Sequence, residues 1–426
     1  MSRNPSHDDC NACDEYRQLS RREFLARTTA TAVALSVPAW LPRVTYAQSA
    51  SSRDVLISIF LRGGADGLSL VAPWGEWANY SSLRPTIAIQ PTTANALDGF
   101  FGFPPAMAPL LPAYQSGQLL IVHATGSTDP SRSHFDAQFL MEIGKPGDLN
   151  VDTGWLGRHL ASLPPMKADA AVRGIGFNFG LPQTLVGAPD TLPIPDPANF
   201  RLSGNSSSAA QRLAWLGTAY QTERDPLRTA ALNTQRTINT LSALNIGGYV
   251  PAGGAVYPGG SFGAALRSTA ALIRADMGVE AVQIDLGGWD THSAQGPVSG
   301  GMAATMGQLA QAIGAFHADM NGAGRINNVT LIATSEFGRV ARENASQGTD
   351  HGHGNVMLVM GGAVRGARVL SIWPGLAPAQ LYQGQDLHVT IDYRDILAET
   401  VLRRLGNTNL DLVFPDFTPT MRGVFV

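Results

Sequence analysis

Residues 55–67 read VLISIFLRGGADG, an apolar run of strand length that ends in a glycine-rich turn with one carboxylate, Asp66. A short apolar run bounded by such a turn is typical of a strand that is buried on both faces, as in parallel sheets. Because α/β proteins place ligands at the carboxyl ends of their strands, the turn that holds Asp66 is a candidate site. This stretch therefore predicts both a sheet and the edge of the sheet at which a site lies.

Further apolar runs of strand length alternate with segments of helical period along the chain. The remaining strands are predicted at residues 119–124, 279–286, 329–334 and 356–360. Helices are predicted at residues 209–222, 227–244, 262–276, 302–320 and 393–405, with Asp392 as the N-cap of the last. The proline-rich segment 182–197 and the glycine-rich segment 247–263 are predicted to be surface loops. The alternation indicates an α/β fold with a central, mostly parallel sheet and helices on both faces.

The N-terminal segment has the features of an export signal. Ser20-Arg21-Arg22-Glu23-Phe24-Leu25 is the S-R-R-x-F-L run of a twin-arginine signal, and a short apolar stretch at residues 28–40 follows it. A cleavage site follows at residues 45–47. We therefore expect residues 1–47 to be a signal peptide that the twin-arginine translocation machinery recognises. Residues 48–426 are expected to form a single α/β domain that is periplasmic or secreted.

Composition gives no indication of a nucleic-acid or membrane partner. The chain of 426 residues has a formal net charge of −3, so it offers no basic surface for nucleic acid. No segment after the signal approaches 18 uninterrupted apolar residues, which predicts no stable membrane span. The chain has 2 cysteines, Cys10 and Cys13, and both lie in the predicted signal. The exported domain is therefore expected to contain neither a thiol nor a disulfide.

Polar motifs collect at the ends of the predicted strands. Besides the turn of Asp66, they are T-D-P-S-R-S-H at 128–134, G-G-W-D-T-H at 287–292, T-S-E-F-G-R at 334–339 and D-H-G-H-G at 350–354. A single Asp-x-His pair is more often a hydrogen-bonded structural pair, but several motifs at strand ends favour a shared metal or anion site. Imidazole and carboxylate ligands suit zinc or manganese, and carboxylate oxygens also suit calcium or magnesium.

The order of these motifs resembles that of the alkaline phosphatase superfamily, which includes sulfatases, nucleotide pyrophosphatases and cofactor-independent phosphoglycerate mutases. More narrowly, the chain resembles the domain of unknown function 1501 family, whose exported members have an unsettled biochemical role. The resemblance covers most of residues 48–426. It implies an alkaline-phosphatase-like α/β domain that binds metal and hydrolyses esters.

The resemblance also implies roles for individual residues. Asp66 is similar to the metal-binding Asp at the end of the superfamily's first strand. Asp290 and His292 resemble its metal-binding Asp and His, at a shorter spacing than usual. Glu336 takes the position of the Asp in the T-[SA]-D-H-G signature, and Phe337 replaces the signature's His. This replacement removes one ligand of the second metal, so the expected cofactor is one divalent ion or two. Zinc is expected first, with calcium, magnesium or manganese as alternatives.

The remaining ligands and the nucleophile follow from the same resemblance. His351 or His353 stands where the last metal-binding His falls, and His134 or His353 is a candidate substitute for the lost ligand. Residues 128–132 match the C-x-P-S-R motif of sulfatases with Thr128 in the place of the nucleophile, as in the pyrophosphatase and phosphodiesterase branch. Arg132 is expected to bind an anionic ester through its guanidinium fork.

Three functions remain open from the sequence. The first is an exported metal-dependent hydrolase of phosphate mono- or diesters, with Thr128 as the nucleophile. The second is a hydrolase of sulfate esters or other anionic glycan substituents, although sulfatases need Cys or Ser at the position that Thr128 takes. The third is a non-catalytic metal-binding or structural exported protein, for which Phe337 is the main indication. The expected partners are a small-molecule, glycan or lipid ester substrate and the twin-arginine machinery.

Overall fold

A computed structural model describes residues 53–202 and 204–426. The predicted signal peptide, residues 1–47, lies outside these described residues. Across the described part of the chain, no helix is both long enough and apolar enough to cross a membrane.

The central element is a nine-stranded sheet, accompanied by a small three-stranded sheet. The strands are β1 (Val55–Leu61), β2 (Ala72–Pro73), β3 (Asn95–Ala96), β4 (Phe101–Phe103), β5 (Leu119–Gly126), β6 (Gly174–Gly176), β7 (Thr191–Pro193), β8 (Ala281–Leu286), β9 (Val329–Thr334), β10 (Asn355–Gly361), β11 (Arg368–Leu370) and β12 (Ile391–Asp392). The order in the large sheet is β11-β5-β10-β9-β1-β8-β6-β7, with β12 beside β5, and the small sheet has the order β2-β4-β3.

Strand direction in the large sheet determines which loops meet. β1 lies at its centre and pairs in parallel with β8 and with β9. β10 runs antiparallel to both of its neighbours, β5 and β9, whereas the other pairings in this sheet are parallel. Because β10 is reversed, the residues that precede it lie at the same edge as the residues that follow β1, β5, β8 and β9.

The helices vary in length from one turn to six. They are α1 (Gly67–Leu70), α2 (Trp77–Leu83), α3 (Leu111–Gln115), α4 (His134–Ile143), α5 (Trp155–Ala161), α6 (Ala209–Tyr220), α7 (Leu227–Leu244), α8 (Ser261–Arg274), α9 (Gly301–Gly322), α10 (Tyr393–Arg403) and α11 (Leu410–Val413). Short 3-10 helices cover Trp74–Glu76, Pro105–Leu110, Gln183–Leu185, Pro197–Asn199, Ser206–Ser208, Ile246–Gly248, Ile326–Asn328 and Pro378–Gln380.

Alternate residues of β1 pack against two different layers of helices. Ile57 and Ile59 are buried with residues of α8 and α9 on one face of the sheet. Leu56 and Phe60 are buried with residues of α5 and α10 on the other face. A strand whose side chains are buried on both faces reads as a continuous apolar run, which is the pattern of residues 55–61. The predicted α/β fold, with a mostly parallel sheet covered on both faces, is confirmed.

Most of the predicted elements are present, with differences at the periphery. The five predicted strands correspond to β1, β5, β8, β9 and β10, and Asp392 caps α10 by accepting a hydrogen bond from the Arg394 amide. The segment 182–197, predicted to be a loop, contains the edge strand β7. β7 and its neighbour β6 have three residues each, too few for a periodicity to show.

Candidate metal centre

Four polar side chains converge at the carboxyl edge of the sheet. His134 is the first residue of α4, which begins after the loop that follows β5. Asp290 and His292 lie in the loop after β8, and His351 lies just before β10. We call His134, Asp290, His292 and His351 the His–Asp cluster. The reversed direction of β10 is what brings His351 to the edge that the other three residues share.

The ligand atoms of His134, Asp290 and His351 lie close together, and His292 contacts Asp290 and His351. Asp290 Oδ1 is 3.0 Å from His292 Nε2 and 3.1 Å from His351 Nε2. Asp290 Oδ2 is 3.5 Å from His134 Nε2. His134, Asp290 and His351 each offer one ligand atom, and these atoms all lie within 4.8 Å of one another. Imidazole nitrogens and carboxylate oxygens at such separations are typical ligands of a single transition-metal ion.

The other ring nitrogen of each histidine contacts an oxygen. The three Nδ1 pairs are His134 with Glu336 Oε1 at 2.8 Å, His292 with Asp350 Oδ1 at 3.0 Å, and His351 with the carbonyl oxygen of Arg132 at 2.9 Å. These oxygens accept hydrogen bonds, so each Nδ1 must donate one. A neutral imidazole has one N–H, and therefore each Nε2 presents a lone pair to the His–Asp cluster.

Two observations show that this arrangement fits a cation. The Nε2 atom of His134 is buried and lacks a hydrogen-bond partner among the described residues. The Nε2 atoms of His292 and His351 face each other at 3.0 Å. Two lone pairs at this distance repel unless a proton or a metal ion lies against them. The donor atoms are therefore arranged as metal ligands, with their second nitrogens held by a surrounding layer of oxygens.

The electrostatics of the cluster favour bound positive charge. Burial lowers the pKa of His134, but the nearby carboxylates of Asp290 and Glu336 outweigh burial and raise that pKa to about 9. Hydrogen bonding to Asp290 raises the pKa of His292. Burial raises the pKa of Asp290, but the surrounding histidines and Arg339 hold it well below its usual range. In the absence of a metal, these carboxylates stabilise protons on the ring nitrogens. The same nitrogens would bind the metal ion when it is present.

One side of the His–Asp cluster faces solvent. The side chains of His134 and His351 are 8% and 11% exposed, whereas those of His292 and Asp290 are 26% and 34% exposed. Structural zinc sites are closed, and catalytic sites keep a position that a water or substrate can reach. The partial exposure of Asp290 and His292 means that solvent can reach this side of the cluster.

Glu336 lies behind the cluster, in contact with His134. Its Oε1 accepts hydrogen bonds from the Gly63 amide and Gln138 as well as His134, and its Oε2 accepts one from Ser335. Glu336 was expected as a metal ligand, but in this geometry it orients His134. The neighbouring Phe337 ring packs 5.0 Å from the ring of His134 and 4.8 Å from that of His351.

Asp66 does not join the His–Asp cluster. Its carboxylate is buried in an ion pair with Arg84, whose two terminal nitrogens lie 2.5 and 2.9 Å from Oδ2 and Oδ1. Ser69 and Gln295 also donate hydrogen bonds to Oδ2. Both oxygens of the expected metal ligand are therefore occupied by donors of the protein itself.

The side chain of His353 contacts different residues from that of His351. Its ring stacks on Tyr382, with 4.4 Å between ring centres. Burial, reinforced by the nearby Arg132 and His388, lowers the pKa of His353 to about 4. Of the two histidines that were candidates for the last ligand, only His351 is brought into the cluster.

The predicted nucleophile and anion-binding residue lie on the loop between β5 and α4. Thr128 is exposed on this loop. The guanidinium of Arg132 forms an ion pair with the buried carboxylate of Asp386. The backbone carbonyl of Arg132 accepts the hydrogen bond from His351. The loop therefore contacts the His–Asp cluster through the backbone of Arg132, and the Arg132 side chain is held by Asp386.

Three contributors were not assigned from the sequence as members of the site. His134 was named only as a substitute ligand, and Asp350 and Arg339 were given no role at the metal. His134 and Asp350 lie within motifs that were recognised, so their imidazole and carboxylate groups were visible signals. The role of Arg339 depends on the folding of three separate loops around it, which no local pattern reveals.

Three solved structures have some similarity to this chain. One is the Ps i-CgsB protein in complex with k-i-k-neocarrahexaose, at 11% identity and a TM-score of 0.38, with 87% of this chain and 75% of that chain covered. Another is the alkaline phosphatase of the Antarctic bacterium TAB5, at 9% identity and a TM-score of 0.26, with 75% and 95% covered. A mutant of that phosphatase with magnesium bound has 12% identity and a TM-score of 0.26, with 75% and 94% covered.

No curated protein matches the sequence of this chain. The family described as "Protein of unknown function (DUF1501)" matches residues 130–399, which contain every member of the His–Asp cluster. Since this match spans more than half of the sequence, the chain belongs to the DUF1501 family.

Proposed function

We propose that this protein is a metal-dependent hydrolase of phosphate mono- or diesters, with its cation held by the His–Asp cluster. One observation carries the proposal. Three imidazoles have their Nδ1 atoms tied to oxygen acceptors, so three Nε2 lone pairs converge beside the Asp290 carboxylate. A divalent cation bound there would polarise an ester oxygen and bring the pKa of a bound water or hydroxyl toward neutrality.

The charges around the cluster support a divalent ion. Asp290, Glu336 and Asp350 contribute three carboxylates, and among the described residues Arg339 is the one guanidinium in contact with them. With neutral histidines, two negative charges remain uncompensated. One divalent cation balances them, and zinc suits a set of three imidazoles and one carboxylate.

Thr128 is proposed as the nucleophile and Arg132 as the group that binds the anion. The exposed position of Thr128 supports this, as does the contact of its loop with His351. A free threonine hydroxyl is a weak nucleophile, so the proposal requires a neighbouring metal or base to activate it. Arg132 is partly exposed while it pairs with Asp386, so it must share or exchange that partner to bind a substrate.

Elemental analysis of the purified protein tests the metal. About one equivalent of a divalent metal is expected, with zinc first. Fewer than about 0.3 equivalents of any transition metal, calcium or magnesium after reconstitution would contradict the metal centre.

Hydrolysis of nitrophenyl phosphate, bis-nitrophenyl phosphate and nitrophenyl sulfate tests the substrate class. Activity on one of the phosphates is expected, and Thr128→Ala is expected to abolish it while Thr128→Ser retains part of it. The metal content of both variants serves as the control and should equal that of the unchanged protein. Unchanged activity in Thr128→Ala would remove the threonine from the mechanism, and activity on the sulfate alone would contradict the phosphate assignment.

Export by the twin-arginine pathway is also proposed, on the basis of the S-R-R-x-F-L run at residues 20–25. This pathway carries folded proteins, so a metal bound in the cytoplasm would leave with the protein. Replacing Arg21 and Arg22 by lysine is expected to retain the protein in the cytoplasm, which cell fractionation measures. Undiminished export of that variant would contradict the proposal.

A further inference from the structure

Arg339 is completely buried beside the His–Asp cluster, with its side chain 0% exposed. Its guanidinium donates to oxygens from three loops that meet at the carboxyl edge of the sheet. These acceptors are the carbonyl oxygens of Gly63, Gly64 (2.5 Å), Trp289 (3.0 Å) and Thr349 (2.9 Å), together with Asp290 Oδ1 (2.7 Å). Arg339 thus fills a cage of four carbonyl oxygens and one carboxylate oxygen.

The glycine-rich turn after β1 is shaped for this contact. Gly63 and Gly64 both have positive φ values, 118° and 65°. A Cβ on Gly64 would lie 2.4 Å from the Phe337 ring, and a Cβ on Gly63 would lie 2.7 Å from the Asp290 amide. Only glycine permits both the backbone conformation and the close approach, so the turn can direct two carbonyl oxygens at one guanidinium.

The contact with Arg339 also gives the two carboxylate oxygens of Asp290 different partners. Oδ1 accepts from Arg339, whereas Oδ2 faces the unpartnered Nε2 of His134 at 3.5 Å. A guanidinium is permanently charged, so the positive charge against Oδ1 is fixed. Three carboxylates are then balanced by Arg339 and one divalent ion, and a second divalent ion would leave the group with an excess of positive charge.

We infer that Arg339 occupies the place of a second cation and thereby makes the centre a one-metal site. This inference rests on the proposed metal centre and specifies its stoichiometry. Arg339 acts as a positioning residue, because it fixes Asp290 and holds the loops of Gly63, Trp289 and Thr349 together. Its removal would leave an oxygen-lined cage, and calcium prefers such a set of carbonyl and carboxylate oxygens.

The first test is a titration of the metal-free protein with Co²⁺, followed by its visible absorption. The inference predicts saturation at one equivalent. Saturation at two equivalents would overturn the inference while leaving the metal centre intact. If no Co²⁺ binds, the metal centre itself is wrong, and the inference fails with it. The two failures are therefore distinguishable from one curve.

The second test compares Arg339→Ala with the charge-retaining Arg339→Lys, with Ca²⁺ as the probe. Ca²⁺ is expected to raise the Tm of Arg339→Ala by about 2 °C or more, and to leave the Tm of the unchanged protein and of Arg339→Lys unaltered. An equal response of all three proteins to Ca²⁺ would overturn the inference. If Arg339→Ala does not fold even with Ca²⁺, the cage does not accept a cation, and this result also counts against the inference. The Co²⁺ stoichiometry of the unchanged protein is an independent measurement.

Discussion

His351 and His353 form a matched pair of substitutions, because the two imidazoles lie in one loop but face different neighbours. His351 Nε2 is 3.1 Å from Asp290, whereas His353 stacks on Tyr382. His351→Gln removes a ligand nitrogen, so we expect its affinity for zinc to fall by about 100-fold or more. His353→Gln is expected to bind zinc as the unchanged protein does. Competition with a chelating dye measures both, and a loss confined to His353→Gln would contradict the geometry of the centre.

Glu336 is expected to act on the metal through His134. Glu336→Gln keeps an oxygen that can accept from His134 Nδ1 but removes the charge that favours this hydrogen bond, which is 2.8 Å long. Loss of such an orienting partner typically weakens metal binding by about 10- to 100-fold. The same dye competition measures this change. Glu76→Gln serves as a control, because the hydrogen bonds of Glu76 are with Asn79, Trp373 and Leu376 and with no member of the cluster. A zinc site abolished altogether would indicate that Glu336 is itself a ligand.

The ion pair of Asp66 and Arg84 links the start of α1 to the end of α2. Arg84 also donates to the carbonyl oxygens of Val340 and Ala341, so the pair joins these helices to the loop after β9. Asp66→Asn leaves the buried guanidinium without a counter-charge, which typically costs about 3–5 kcal/mol. Urea unfolding measures this loss. We expect the folded variant to keep about one equivalent of zinc, and a loss of metal without a loss of stability would restore Asp66 to the metal site.

The sequence predicted the elements whose burial leaves a clear pattern. Residues 55–61 are buried on both faces, and the resulting apolar run marked β1 without any knowledge of its neighbours. α7, at Leu227–Leu244, was predicted with its observed bounds because a long amphipathic helix repeats its pattern over several turns. β6, β7 and β11 are too short to carry a period. Their positions depend on pairing with strands far away in the chain.

The candidate site was predictable in its location and only partly in its members. Strand-end motifs pointed to Asp290, His292 and His351 because ligand-type side chains follow or precede buried strands. The direction of β10 could not be predicted, yet it decides that the loop of His351 meets the loop of Asp290. The partner of Asp66 could not be predicted either, because Arg84 lies 18 residues further along the chain in a segment with no recognisable motif.

Buried histidines predict that the whole molecule loses stability in mild acid. Burial lowers the pKa of His123 to about 4 and that of His159 to about 3, from an ordinary value of 6.5. His123 Nε2 donates to the Val71 carbonyl and its Nδ1 accepts from the Ala124 amide, and the bond from Ala124 requires the neutral ring. Between pH 6.5 and about 4 the unfolded chain binds more protons than the folded one, and acid therefore favours unfolding.

The free energy of unfolding should consequently fall as the pH is lowered from 6.5, by up to about 1.4 kcal/mol per pH unit for each of these histidines. The histidines whose pKa is raised, His134 and His292, change their contribution only above pH 6.5 and so do not mask this effect. Urea unfolding at pH 7.0, 6.0 and 5.0 measures the slope, and His123→Gln is expected to reduce it. A slope that is identical in that variant would contradict the neutral, hydrogen-bonded state of His123.

Anomalous X-ray diffraction from crystals of the zinc-loaded protein tests whether the carboxyl edge of the sheet holds one divalent ion within the His–Asp cluster. We predict one anomalous peak, at about 2.0–2.2 Å from the Nε2 atoms of His134, His292 and His351 and from a carboxylate oxygen of Asp290. An absence of any peak at these four side chains, or a peak at the carboxylate of Asp66 in its place, would contradict it.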